Sequence, residues 1–274
     1  MTALRHVLPG VGLSVSLTTL LAACAPALRT APPLADLAGG VAPARADAPA
    51  LVERARALYA GRDPVEVREA ASMALGAAAA DPGDEAAIVL AARALVWLAD
   101  HETEAAARER AATRAVQAAQ WCGAGRPPSP ACAFWLGAAL GVQARERPAT
   151  GAAALPAIEA AFKAAAAGDP AYDSGAPHRA LALLYLRAPG WPAGPGDPDR
   201  GLGHARRAVA IAPRHPPNLL ALGEALAATR DAAGSRARLE DALEHARAAA
   251  TAGDPDAAEW VRDAEVAMAR VDRR

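Results

Sequence analysis

Residues 222–242 read LGEALAATRDAAGSRARLEDA. Two helical stretches, 217–229 and 235–251, are separated here by a short breaker. On the first, Leu222, Gly223 and Leu226 share a face; on the second, Leu239 and Ala242 do the same. A glycine in the first helix lets a second helix cross closely, and a large residue in the second fills the gap. The separation from Gly223 to Leu239 is that of a helical-hairpin repeat without insertion.

The same marks recur upstream. Leu136-Gly137 with Leu140, and Leu181-Ala182 with Tyr185, repeat the first helix. Phe162, Ala165 and Pro170 repeat the second, as do Ala205, Ala208 and Pro213. Proline closes each pair because it cannot continue the helix. These marks are tetratricopeptide-like. Between Ala182 and Ala205 the chain has seven more residues than between Gly223 and Leu239, so the repeats are degenerate. Helical patterning predicts stretches 48–60, 64–80, 85–100, 103–121, 131–147, 152–167, 176–187, 199–211, 217–229, 235–251 and 255–271. Asp63-Pro64-Val65-Glu66 supplies a cap, a first-turn proline and a glutamate three residues after the cap. Asp197-Pro198 and Asp254-Pro255 use the same device. The last stretch carries Trp260, Ala264, Met268 and Val271 on one face. The expected fold is all-α: a tetratricopeptide-like helical-hairpin solenoid over 47–274, a right-handed superhelical array with degenerate repeats.

The N-terminus has a different character. Arg5 and His6 precede an uncharged apolar stretch that ends Leu21-Ala22-Ala23-Cys24. A basic start, an apolar core and a small-residue cleavage site make a secretory signal over residues 1–23. Leu21-Ala22-Ala23-Cys24 resembles the lipobox of bacterial lipoproteins, which implies lipid on Cys24 and a chain anchored in the periplasm. Ala25 follows the cysteine, where an aspartate would resemble an inner-membrane retention signal, so the outer membrane is the expected address. Residues 24–46 are rich in Pro, Ala and Gly and read as a flexible tether.

The 274 residues carry a formal charge of −1 with both signs mixed, which argues against a nucleic-acid partner. None of the six histidines forms an HExxH or similar metal-ligand spacing. His101-Glu102 lacks its second histidine. Gly201-Leu202-Gly203 opens a helix without a preceding strand, which excludes a dinucleotide fingerprint. No nucleophile elbow or phosphate-binding loop occurs, and no carboxylate pair stands out for acid–base work. The expectation is a non-enzymatic protein without cofactor or metal. Cys122 and Cys132 flank the Gly/Pro-rich GAGRPPSPA. The periplasm allows them to form a disulfide, and two separate buried thiols are the alternative.

The remaining feature is the loop PGWPAGPGDP, residues 189–198, in which seven of ten residues are Pro or Gly. Around it run Gly175-Ala176-Pro177-His178-Arg179-Ala180-Leu181, Leu184-Tyr185, Ala208-Val209, Pro213, Pro217-Asn218 and Leu222-Gly223-Glu224. Together these resemble the TatT family, the lipoprotein T component associated with some TRAP transporters. Ala182 departs from that family's tendency to glycine. The resemblance implies a tetratricopeptide-like lipoprotein that partners a periplasmic substrate-binding protein. It also implies a trimeric homo-oligomer with pores or grooves suited to an apolar small molecule. An envelope-assembly or structural lipoprotein without a transporter role is the alternative, and a stand-alone ligand carrier is a third reading.

Tyr172, His178, Arg179 and Trp191 are the candidate ligand or partner contacts. Read locally, Arg179 pairs with Asp173 or Asp197, and His178 donates to a loop carbonyl. Trp191 either plugs the gap between helix pairs, the favoured reading, or anchors an interface. Trp97, Trp121, Trp135 and Trp260 lie in or at the ends of helices and are expected in the core.

Overall fold

The computed structural model describes residues 30–39, 43–123 and 129–273. Residues 1–29, which include the expected signal over 1–23 and Cys24, lie outside the described residues. Among the described residues twelve α-helices follow one another: α1 (Leu34–Leu37), α2 (Ala48–Ala60), α3 (Pro64–Ala80), α4 (Glu85–His101), α5 (Ala105–Cys122) and α6 (Pro130–Glu146), then α7 (Pro148–Gly168), α8 (Tyr172–Arg187), α9 (Pro198–Ile211), α10 (Pro216–Ala228), α11 (Ala232–Thr251) and α12 (Ala257–Val271). From α2 onward, successive helices pack in pairs, and the even-numbered helices also touch one another in series. Touching at every second helix is what the inner side of a curved array requires. The even helices therefore line the concave face and α3, α5, α7, α9 and α11 the convex one.

The repeat marks are where the packing is tightest. A Cβ at Gly137 would sit 2.7 Å from the Phe162 ring, and one at Gly223 would sit 2.6 Å from Leu239. Each glycine thus admits the large residue of the helix that follows. Ala182 solves the same problem differently: it is buried in one cluster with Ala205, so two small side chains face each other. Alanine supplies much of the core, as Ala70, Ala74, Ala94, Ala115 and Ala165 have no exposed surface. Small side chains let helices approach closely, and dense packing follows.

Caps follow the expected chemistry. Asp63 accepts from the backbone N–H of Val65 and Glu66, and Asp197 from those of Asp199 and Arg200. Asp254 departs from it: its carboxylate accepts from the Asp256 N–H at 2.9 Å in a tight turn, and the helix proper starts at Ala257. Asp256 is instead drawn sideways to Arg62.

The tether expected over 24–46 is in part a docked segment. Leu34 and Leu37 are buried, α1 packs on α3 and α5, Trp121 Nε1 donates to Pro32 O at 2.8 Å, and Arg114 donates to Leu37 O at 2.8 Å. Two leucines three residues apart are enough to secure a one-turn helix against the convex side. Trp121 is therefore only half buried and serves as a clasp. Cys122 and Cys132 are joined in a disulfide between the end of α5 and the start of α6.

The array curls until its ends meet. Arg62, just after α2, donates from Nε and Nη2 to the two carboxylate oxygens of Asp256 at 2.8 and 3.0 Å. His101 at the end of α4 reaches Glu259 of α12 at 3.3 Å. Arg62 and Asp256 are 194 positions apart, and their contact makes the concave face the inside of a ring.

Candidate functional site

The inner face is built from side chains that helical periodicity brings into register. Arg93, Trp97 and His101 recur at four-residue intervals, which sets them one above another along α4. Trp97 stacks on His101 with ring centroids 3.9 Å apart. The Arg93 guanidinium lies 5.4 Å from the Tyr59 ring of α2 and 5.7 Å from the Trp135 ring of α6. Two aromatic faces thus hold one cation. Trp135 Nε1 donates to Tyr172 Oη at 2.8 Å, which extends the chain of contacts to the start of α8. Trp260 of α12 packs edge-on against His215 at 5.5 Å.

Tyr172 leads into three consecutive residues with left-handed backbone: Asp173, Ser174 and Gly175, with φ of 45°, 59° and 82°. Such conformations cost about 1–3 kcal/mol for each non-glycine residue and persist only where the surroundings hold them. Asn218, wholly buried, holds this one. Its Nδ2 donates to Ser174 O and Ala208 O, both at 2.9 Å, and its Oδ1 accepts from Arg179 Nη1 at 2.8 Å. At Gly175 it is the left-handed φ of 82° that favours glycine, while Ala208 and Ile211 pack against it at contact distance.

Arg179 is therefore bound to Asn218, and neither Asp173 nor Asp197 pairs with it. Asp197 is occupied as the cap of α9. Burial lowers the Arg179 pKa, and the Asp173 charge partly offsets that. Burial also works against the Arg93 charge, but Tyr59 and Asp173 outweigh it and the pKa is raised. At neutral pH Tyr59 is an uncharged phenol, so Asp173 is the full anion among them. Among the described residues, no carboxylate lies within ion-pair distance of Arg93 or Arg179, whereas Arg62 has Asp256. His215 is held neutral, its pKa lowered to about 4 by burial and then by the Arg179 charge.

The four candidate residues do not form one cluster. Tyr172 and Arg179 belong to the inner face. His178 meets His204 of α9, with Nδ1 atoms 3.0 Å apart, in place of a loop carbonyl. Burial, then His178 and the cations Arg207, Arg200 and Lys163, lower the His204 pKa to about 4. Trp191 is not a plug. It is 90% exposed, on a loop tied down by backbone bonds from Gly196 to Pro189 O and from Asp197 to Tyr185 O, both 2.8 Å. A Cβ at Gly196 would lie 2.2 Å from Ala188 O, so the base of the loop closes tightly and requires glycine there. Sequence reasoning missed Arg93, and it named Asn218 only as a motif residue without a role; the four-residue spacing of Arg93, Trp97 and His101 is the signal for the first.

Further along the inner face, a pocket of about 160 Å³ opens between the C-terminal halves of α8, α10 and α12. Leu186, Ala227, Leu239, Ala267 and Val271 supply its apolar walls, and the Arg187–Glu224 pair stands at its edge. Among the described residues, no three metal-ligating side chains gather in one place, and no helix is long and apolar enough to cross a membrane.

The fold defines a class. The chain is an all-α helical-repeat solenoid of the tetratricopeptide type. It is similar to the crystal structure of a thermophilic tetratricopeptide-repeat protein from Thermus thermophilus, with a TM-score of 0.59 and 19% identity. The match covers 80% of this chain and 99% of that one. No protein-family model and no curated protein matches the chain.

Proposed function

We propose that this chain is a lipid-anchored, periplasm-facing scaffold that binds a protein partner and a small apolar ligand through its concave face. The observation that carries the reading is the ring itself. Six inner helices present aromatic and charged side chains toward one enclosed surface, and helical-repeat arrays bind through their concave sides. The apolar pocket between α8, α10 and α12 supports the ligand. The exposed Trp191, on a fixed loop outside that surface, supports a separate protein contact, because tryptophan is a frequent interface anchor.

The sequence supports the address: the signal shape, the lipobox resemblance at Cys24, and Ala25 in place of aspartate favour the outer membrane. The TatT resemblance makes a TRAP substrate-binding protein the first partner to test and a trimer the first assembly. Extraction from native membranes in mild detergent, followed by native mass spectrometry, reports partner, ligand and subunit number together. Recovery of a substrate-binding protein with the wild-type chain and its loss with Trp191→Ala is the expected result. Recovery of neither partner nor ligand refutes the reading. Metabolic labelling with palmitate tests the anchor: Cys24→Ser should abolish incorporation, and an unlabelled wild type removes the lipid from the account.

A further inference from the structure

Short connections make successive helices antiparallel, so the array has two rims. At one rim the end of α5 is joined to the start of α6 by the disulfide. The end of α7 lies there too, since a Cβ at Gly168 would sit 2.7 Å from Pro130. At the other rim Arg108, near the start of α5, pairs with Glu146 at the end of α6, and Arg187 at the end of α8 pairs with Glu224 of α10. The Trp191 loop and the apolar pocket belong to this second rim, because both lie at the C-terminal ends of even helices. The 18 residues of α5 set the rims about 27 Å apart.

The docked segment has a direction across this array. Pro32 is held by Trp121 in the last turn of α5, and Leu37 by Arg114, seven residues back along the same helix. The chain therefore arrives at the disulfide rim and runs inward along the convex side. Two buried leucines and two bonds to backbone carbonyls fasten it there. Cys24 lies eight positions before Pro32, a span that reaches at most about 29 Å. Without the dock, the next polar hold on the chain is the Arg45–Asp81 pair, 21 positions from Cys24, and the reach becomes about 76 Å.

We propose that the disulfide rim faces a lipid surface, that docking of α1 holds it there, and that Trp191 and the pocket are thereby turned away from the bilayer. Inversion would require the eight residues to span nearly their whole reach, because the far rim would then separate Pro32 from the lipid. The upright orientation requires no such extension, and a released segment would allow both. A partner can then approach Trp191 without meeting the bilayer. The inference rests on the lipid anchor at Cys24.

The test imposes that anchor. The chain from Cys24 onward is coupled through the Cys24 thiol to a maleimide phospholipid in phosphatidylcholine vesicles, while the disulfide protects Cys122 and Cys132. Lack of lipid in cells is read separately by palmitate labelling, so the two readings fail separately. A keto amino acid carries a donor dye at Ala171 in the disulfide rim or at Ala193 beside Trp191, both exposed, and the bilayer carries an acceptor lipid. The Ala171 dye should lie nearer the bilayer than the Ala193 dye, by up to about 27 Å. Leu34→Asp with Leu37→Asp should release α1 and remove most of that difference. Insertion of about twelve Gly/Ser residues after Arg29 keeps the dock, lengthens the reach to about 72 Å, and should have the same effect whether or not the leucine variant folds. Equal distances in the wild type, an Ala193 dye nearer than the Ala171 dye, or a difference that survives either change overturns the proposal.

Discussion

Removing the contact between Arg62 and Asp256 should open the ring. Two hydrogen bonds of 2.8 and 3.0 Å join these side chains, which are 13% and 30% exposed. Hydrogen bonds to charged groups contribute about 1.5–3 kcal/mol each when buried, and solvent discounts a half-buried pair, so about 2 kcal/mol is expected for the two. Arg62 also stacks 4.0 Å from the Tyr59 ring and adopts a φ of 56°. A single substitution would mix those effects with the ion pair. A cycle of Arg62→Ala, Asp256→Ala and the double variant cancels them, because alanine at position 62 keeps the same backbone. Urea unfolding should give a coupling energy of about 2 kcal/mol. Each kcal/mol in a chain of this size moves Tm by about 2–4 °C, so Asp256→Ala should lower Tm by about 4–8 °C. Asp256→Ala alone should cost at least as much as the double variant, since it strands a cation. Spin labels on α2 and α12 should report a longer and broader distance. A coupling below about 0.5 kcal/mol with an unchanged distance would show that the pair behaves as an ordinary surface contact and that other packing closes the ring.

The other expectations concern separate parts of the molecule. Gly137→Val should destabilise by about 1–3 kcal/mol through its clash with Phe162, and Phe162→Leu should recover part of that loss; additive effects would refute the close crossing of α6 and α7. Hydrogen bonding to Glu259 raises the His101 pKa and lowers that of Glu259. The raised histidine stabilises fully below its unfolded value of 6.5 and loses that contribution as pH rises through its folded value; the depressed carboxylate stabilises above 4.5 and loses it as pH falls. This pair therefore contributes most between those values, and His101→Gln should flatten the decline in Tm between pH 6 and 8. His204 works in the other direction: its folded value of about 4 means that acidification from 6.5 toward 4 favours the unfolded chain, and His204→Gln should shallow that slope. Reduction of the disulfide between Cys122 and Cys132 should lower stability by about 2–3 kcal/mol in matched urea melts, the loop-entropy value for so short a closure. Trp191→Ala should leave Tm within about 1 °C, as exposed substitutions rarely exceed about 0.5 kcal/mol; a large drop would mean the indole packs after all.

Much of the fold is legible because its signals are local. Asp63 and Asp197 announce their helices through capping chemistry, and Gly137 with Phe162 marks a crossing by size alone. The inner face is less legible, since its partners come from different hairpins. Nothing near Arg179 in the chain indicates Asn218, thirty-nine residues on, as its acceptor in place of Asp173. Trp191 escapes for a related reason: a proline-rich loop can hold an aromatic inward or outward, and composition alone does not choose between them. Leu34 and Leu37 sit in a proline-rich stretch whose composition conceals a docked turn.

Meeting end to end also constrains how this molecule can vary. An open repeat array can lengthen or shorten by whole hairpins, because each unit senses only its neighbours. Here a duplicated hairpin would carry Asp256 past Arg62, and a deleted one would leave it short. The number of units is therefore set by circumference, as the number of staves is set in a barrel. Unfolding should follow suit. With residues 62 and 256 fastened across 194 positions, peeling of the hairpins between them must first break this contact, so loss of one hairpin is felt by the others.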